Sequence, residues 1–223
     1  MKPLRVVATS VAVVWSVAAV SVHAENPGAK TWTFDTDALD KPPTGFSFGR
    51  TGEGSLGHWV VRTAKDAPSG AAVLAQVDTD ATDYRFPVAV ADSPSHRDLR
   101  LSVKCKPVAG RVDQACGLVF RYQDENNYYL TRANALEDNV NLYSVKDGRR
   151  KQFAGWTGKV AGQVWHALSV EATGDHFVVS WDATKVIEAT DDTFSQPGKV
   201  GVWTKADSFT EFDDLTVAPV AEP

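Results

Sequence analysis

Residues 117–134 read GLVFRYQDENNYYLTRAN, and residues 139–153 read NVNLYSVKDGRRKQF. Apolar and polar side chains alternate along both stretches, which indicates strands with one buried and one open face. Asp147-Gly148 is a favoured two-residue hairpin turn, and Glu125-Asn126 and Leu136-Glu137 supply turn positions at matching distances. These turns predict an antiparallel four-stranded meander over residues 117–153.

The predicted registers agree with one another, since they pair Phe120 with Thr131, Thr131 with Leu142, and Leu142 with Phe153. Alternation then separates two faces. The predicted core face carries Leu118, Phe120, Tyr122, Tyr129, Thr131, Val140, Leu142 and Phe153. The opposite face carries Arg121, Gln123, Tyr128, Arg132, Asn134, Asn139, Asn141, Tyr143 and Gln152.

The second face is rich in arginine, amide and tyrosine side chains. Planar amide and guanidinium groups bind neighbouring hydroxyl groups, and a tyrosine ring adds a flat surface, so the set suits a neutral polar ligand such as a sugar. The alternatives are a solvated sheet face or a face covered by loops, and a one-residue slip would exchange the two faces. The candidate carbohydrate-binding residues are Arg121, Gln123, Tyr128, Arg132, Asn134, Asn141 and Tyr143.

The rest of the chain repeats the pattern of short strands and turns, and no window of helical length carries a 3.6-residue apolar stripe. Fourteen short strands at this spacing predict one antiparallel β-sandwich domain over residues 25–223. The Pro- and Gly-rich segment from Lys41 to Gly57 is predicted to be a long loop.

Residues 1–24 have the features of a secretory signal peptide. Lys2 and Arg5 precede an apolar stretch that ends in Val22-His23-Ala24, so we expect cleavage after Ala24 and a periplasmic or secreted protein. The alternative is a membrane anchor, and no other segment is apolar enough to span. Cleavage takes the formal net charge from −5 to −7, which disfavours nucleic acid as a partner. The oligomeric state is left open.

The chain has two cysteines, Cys105 and Cys116. An exported protein meets an oxidising compartment, where such a pair tends to form a disulfide. A hairpin turn near Gly110-Arg111 would place the two cysteines opposite each other on paired strands. The alternative is two buried free thiols.

Several segments resemble the concanavalin A-like lectin/glucanase superfamily, whose fold is a jelly-roll sandwich. They are residues 117–122, 127–132, 141–143, 165–171, 198–203 and 212–217. The chain looks closest to the exported 3-keto-disaccharide hydrolase group and also resembles laminin-G-like modules. The resemblance implies a saccharide on the concave sheet, bound by Arg121, Tyr128, Arg132, Asn141 and Tyr143.

The chain lacks a clear catalytic motif. Jelly-roll glucanases carry Glu-x-Asp-x-x-Glu, whereas the nearest match here, residues 211–216, ends in Thr216, which removes the second carboxylate of that mechanism. Gly45–Gly49 matches G-x-S-x-G but lacks the strand and helix that a nucleophile elbow needs. His58 is a general-base candidate only by elimination, and whether the chain is an enzyme stays open.

Three functions follow as hypotheses. The first is an exported, lectin-like carbohydrate-binding domain. The second is a glycoside hydrolase or lyase acting on 3-keto-disaccharides, and the third is a non-catalytic interaction module of the cell envelope. No cofactor is expected, although Asp35 and Asp213 are candidates for a structural calcium site if the terminal strands pair.

Overall fold

The computed structural model describes residues 28–220, so the predicted signal peptide and its cleavage site lie outside the described residues. The described part has fifteen strands and no helix. The strands are β1 (Lys30–Trp32), β2 (Phe46–Gly52), β3 (Trp59–Thr63), β4 (Ala72–Gln76), β5 (Arg85–Ala91), β6 (Leu99–Ala109), β7 (Ala115–Asp124), β8 (Asn127–Asn134), β9 (Asn139–Lys146), β10 (Arg149–Thr157), β11 (His166–Thr173), β12 (His176–Trp181), β13 (Thr184–Thr190), β14 (Lys199–Trp203) and β15 (Phe209–Pro219). Over residues 28–220, no helix of a length and apolarity suited to crossing a bilayer is found.

The strands form two antiparallel sheets, which confirms the predicted β-sandwich. The eight-stranded sheet has the order β13-β12-β11-β6-β15-β4-β3, with β1 paired to β15. The seven-stranded sheet has the order β10-β9-β8-β7-β14-β5-β2. Many neighbours in a sheet are distant along the chain, so the fold depends on long-range pairing.

The main hydrophobic core lies between the two sheets. Burial alternates residue by residue along β6, where Leu101 and Val103 point inward, as expected for a strand with one face on the core. From the other sheet Leu118, Phe120 and Tyr129 meet them, and all are buried. The core-face prediction for the meander is therefore confirmed at these positions.

The predicted disulfide forms, but the predicted hairpin around it is wrong. Cys105 and Cys116 are bonded with their Cα atoms 6.3 Å apart, yet β6 pairs with β11 and β15 while β7 pairs with β8 and β14. The connection between the two strands is a corner. The carboxylate of Asp207 holds it by accepting hydrogen bonds from the backbone amides of residues 111–113. The disulfide therefore joins the two sheets.

The β8–β9 register is as predicted, with Thr131 opposite Leu142. The β7–β8 register differs by two residues, because a bulge after Phe120 places it opposite Tyr129. A second bulge at Phe153 places Leu142 opposite Ala154. The first bulge has the larger consequence. Arg121 adopts a positive φ of 47°, so the side chains that follow point to the face opposite to the one that regular alternation predicts.

The predicted loop at Lys41–Gly57 contains a strand, β2, that pairs with β5 along its whole length. The missed signal was the alternation of Phe46 and Phe48, which both contact the main core. Ser47 lies within this strand and donates a hydrogen bond to Asp92 at 2.6 Å. Within the described residues no helix follows β2, so the G-x-S-x-G match does not have the strand-to-helix turn of a nucleophile elbow.

The terminal strands pair as expected, with Lys30 opposite Val217. Asp35 and Asp213 both bind the loop before β4: Asp35 accepts from the amides of Ala71 and Ala72, and Asp213 accepts from Ser69. Within residues 28–220 no group of three or more metal-ligating side chains is found. The two carboxylates serve as acceptors for this loop, and a calcium site at Asp35 and Asp213 stays a prediction.

We expect Asp213 to make the stability of the fold depend on pH. Burial raises the pKa of Asp213 to about 6, against the opposing hydrogen bonds from Ser69 and Asp214, and the usual value is 3.8. Since the folded state then binds this proton more tightly, its contribution should become more favourable as the pH falls from about 6 to 4. In urea unfolding, wild type should gain stability relative to Asp213→Asn between neutral pH and about pH 4.5. If the unfolding free energies of the two proteins changed in parallel with pH, Asp213 would not be the cause of the pH dependence.

Candidate functional site

A row of side chains crosses the outer face of the seven-stranded sheet, the face turned away from the main core. Residues opposite each other on adjacent strands share a face. From β10 to β2 the row is Gly155, Asn141, Arg132, Gly117, Trp203, Val88 and Gly49. Two glycines flank the Asn141–Arg132 pair, so this part of the row combines polar side chains with gaps.

Half of the outer face is filled by a second hydrophobic cluster. Its aromatic members are Phe86, Tyr128, Tyr143 and Trp203, which are all buried. The hydroxyl of Tyr128 lies 2.7 Å from the Thr51 hydroxyl on β2, although three strands separate β8 from β2. The sheet therefore curls over its outer face.

Tyr84 and Arg150 close this filled half. The Tyr84 hydroxyl donates to the Gly148 carbonyl at 3.0 Å and accepts from the Arg150 amide at 3.1 Å, which links the start of β5 to the β9–β10 hairpin. The guanidinium carbon of Arg150 lies 4.5 Å from the Phe86 ring centre and 4.6 Å from that of Tyr143. Aromatic packing thus covers the region of Trp203.

The other half of the outer face, near β9 and β10, is open. Gln152 and Gly155 are exposed, and Asn139 is partly exposed. A Cβ at Gly155 would collide with the Asn141 side-chain oxygen, so the absence of a side chain there leaves room for Asn141, which is 7% exposed. We call the group of Arg132, Asn139, Asn141, Gln152 and Gly155 the open-half site.

Arg132 is held firmly within the open-half site. It donates to Glu137 at 2.7 Å and to the Tyr143 hydroxyl at 2.9 Å, and it also bonds Asn139. The Tyr143 hydroxyl accepts a further bond from Asn141. Burial by itself would raise the pKa of Glu137, but Arg132 and Asn139 bring it below its usual value. Arg132 and Glu137 therefore form an ion pair at neutral pH.

Of the predicted binding residues, Arg132, Asn141 and Tyr143 are brought together by the structure. Tyr128 shares their face but is completely buried in the aromatic cluster. Asn134 is also buried, since it donates to Asp113 and accepts from the amides of Leu136 and Glu137. Tyr128 and Asn134 therefore contribute to the packing of this face.

Arg121 and Gln123 lie elsewhere, and their placement on this face is a correction. The positive φ of Arg121 turns its guanidinium toward the end of the sandwich, where it donates to the carbonyls of Arg97, Phe194 and Gly174. Gln123 donates to the carbonyls of Arg121 and Pro197. The same bulge brings Tyr122 to the outer cluster, although the sequence placed it in the core.

Sequence reasoning missed Arg150, Phe86 and the role of Gly155. Arg150 had a signal, because it lies two residues before Gln152 on the same strand and so shares its face. Phe86 had no such signal in the sequence, since β5 reaches this region only through the curl of the sheet.

The Glu211–Thr216 segment lies on β15 of the other sheet, where Glu211 pairs with Lys106 at 2.5 Å. His58 immediately precedes β3, which is a strand of that same sheet.

No protein-family model matches the chain, and no curated protein matches it. Among solved structures, the chain is similar to the carbohydrate-binding module CBM66 from Bacillus subtilis, with a TM-score of 0.63 and 22% identity over 78% of this chain and 96% of that one. A native glycosidic hydrolase gives a TM-score of 0.58 and 15% identity, covering 88% of this chain and 98% of that one. The Ca²⁺/Man-bound VIP36 exoplasmic/lumenal domain gives a TM-score of 0.57 and 11% identity, covering 89% of this chain and 92% of that one.

The chain therefore has the concanavalin A-like jelly-roll fold, as its sequence segments predicted. At these identities the likeness extends to the fold alone. The narrower resemblance to the 3-keto-disaccharide hydrolase group stays a prediction.

Proposed function

We propose that the protein is an exported carbohydrate-binding domain and that it binds a saccharide at the open-half site of its concave outer face. The observation that carries the proposal is the Asn141–Arg132 pair next to Gly155. An amide and a guanidinium group are fixed side by side, beside a position without a side chain. Such planar groups can bind two neighbouring hydroxyls of a sugar ring.

Two further observations support this function. The similar solved structures include a carbohydrate-binding module, a mannose-bound lumenal domain and a glycosidic hydrolase. The disulfide between Cys105 and Cys116 fits an oxidising compartment, in agreement with the expected signal peptide. Both agree with an exported protein that meets glycans outside the cytoplasm.

Gly155→Val should weaken saccharide binding more than tenfold. The new side chain would displace Asn141 from the position in which it meets the ligand. The melting temperature should fall by only a few degrees: valine is well accepted on the exposed edge strand β10, and the main loss is the hydrogen bond from Asn141 to the Tyr143 hydroxyl. The measurement is a glycan array with wild type, followed by calorimetric titration of the best ligand into both proteins.

Thr184→Val is the matched control, since Thr184 is also exposed on an edge strand but belongs to the other sheet. It should bind the glycan as wild type does. Equal binding by wild type and Gly155→Val would place the saccharide elsewhere, and absence of any glycan binding by wild type would refute the proposed function.

A glycoside hydrolase or lyase is the second candidate. It is favoured by the likeness to a glycosidic hydrolase and by Glu137, whose side chain is 46% exposed and lies 2.7 Å from Arg132 at the open-half site. Turnover assays with glucosides and 3-keto-glucosides distinguish it from binding alone. Turnover that is lost in Glu137→Gln would replace the lectin-like function with the enzymatic one, and a co-purifying protein without glycan binding would indicate an interaction module.

A further inference from the structure

We infer that the saccharide carries a carboxylate, as in a uronic acid, and that Arg150 recognises it. This inference rests on the proposed function and specifies the class of its ligand. Arg150 is a cation packed against three aromatic rings: its guanidinium carbon lies 4.5 Å from the Phe86 ring centre, 4.6 Å from that of Tyr143 and 5.8 Å from that of Trp203. Its Nη1 is buried and has no hydrogen-bond acceptor in the described part of the chain.

A second donor without a partner lies nearby. The Nε of Arg132 is buried and also has no acceptor among the described residues, although the other two nitrogens of that guanidinium are bonded. Arg132 lies 5.7 Å from the same Tyr143 ring that packs against Arg150. The two free groups are both N–H donors, so what this region lacks is an acceptor.

The charges around the site favour an anion at Arg150. Arg132 is neutralised by Glu137 at 2.7 Å, and Lys205 by Asp83 at 2.6 Å and Asp113 at 3.1 Å. None of the ion pairs within residues 28–220 involves Arg150. The carboxylates that face the site already have cationic partners, which reduces their repulsion of an acidic ligand.

The geometry of Arg150 suits a carboxylate more than a hydroxyl. A guanidinium group presents parallel N–H donors that match the two oxygens of a carboxylate, and stacking on aromatic rings holds its plane in place before the ligand arrives. Arg150 lies on the edge strand β10 and is partly exposed, two residues from Gln152 of the open-half site. A carboxylate on a sugar bound beside Asn141 would approach it from this edge.

The test is a glycan array on which each uronic-acid glycan is printed beside its carboxyl-reduced counterpart. Wild type should bind at least one acidic glycan more than tenfold better than its reduced form, and this preference should weaken as salt is added. Arg150→Met keeps much of the packing volume on the rings but removes the charge, so it should lose the preference. Arg149→Met, at the exposed neighbouring arginine, should keep it.

The outcomes separate this inference from the proposed function. Equal binding of acidic and reduced glycans, or binding of neutral glycans alone, would overturn the role of Arg150 and leave a saccharide-binding domain. Binding to no glycan would refute the proposed function and this inference together. Circular dichroism establishes that Arg150→Met is folded, and Arg150→Lys, which keeps the charge without the planar fork, should show an intermediate preference.

Discussion

Arg121→Met is expected to lower the free energy of unfolding by about 4 kcal/mol, as is usual when one partner of a buried charge network is removed. Arg121 is 1% exposed and donates to the carbonyls of Arg97, Phe194 and Gly174, so its removal takes the donor from three acceptors at a partly buried end of the sandwich. Asp98, 3.4 Å away, loses its cation as well. For a chain of this size the melting temperature should fall by roughly 10 °C.

Arg97→Met is the control for this effect. The Arg97 side chain is exposed, and its carbonyl, which accepts from Arg121, is unchanged by the substitution. Such a surface change should alter the stability by less than about 0.5 kcal/mol. If Arg121→Met instead kept the wild-type melting temperature and lost saccharide binding, Arg121 would be a binding residue, as the sequence pattern placed it.

Removing the disulfide should have the second large effect. Cys105 and Cys116 are separated by 11 residues, and a closed loop of this size contributes about 3 kcal/mol by restricting the unfolded chain. Both residues are completely buried between the sheets, so a double replacement by alanine also removes packing. The melting temperature of the double variant should fall by roughly 8 °C.

Two measurements test the disulfide independently of the substitution. Thiol titration of denatured wild type should find no free thiol until a reductant is added. Reduced wild type should then unfold below oxidised wild type but somewhat above the double variant, because it keeps the packing of both sulfur atoms. An unchanged melting temperature on reduction would contradict the stabilising role given to this bond.

Most of the fold was predictable because strand formation leaves a local signal. Alternation over residues 117–153 predicted the core positions of Leu118, Phe120 and Leu142, and the Asp147-Gly148 turn predicted the β9–β10 hairpin. The strand β2 was not predicted, because glycine and proline around it resemble a loop. Backbone hydrogen bonds to β5 stabilise this segment as a strand, although its composition does not favour one.

The candidate site was predictable only in part. Its residues on β8 and β9 were predicted correctly, whereas those that follow the bulge in β7 were not. Along β8 and β9 the alternation is unbroken, so Arg132, Asn141 and Tyr143 share a face as predicted. At Arg121 one positive φ changes the direction of the side chain, and a sequence pattern carries no mark of it. Arg121 therefore serves the end of the sandwich and is absent from the open-half site.

Side-chain alternation and turn residues act over a few positions, which is why the sandwich class and the Arg132–Asn141 face follow from the amino-acid order. The disulfide follows only from the presence of two cysteines in an expected oxidising compartment, since the hairpin predicted around them does not form. The sheets that β6 and β7 join depend on contacts between distant residues, such as Asp207 with the corner at residues 111–113. The same holds for the outer face, where Phe86 and Trp203 meet Tyr143 and Arg150 only after the seven-stranded sheet curls. Long-range packing thus fills one half of that face and leaves the other open. No single segment of the sequence encodes this, because the curl brings together strands that are distant along the chain.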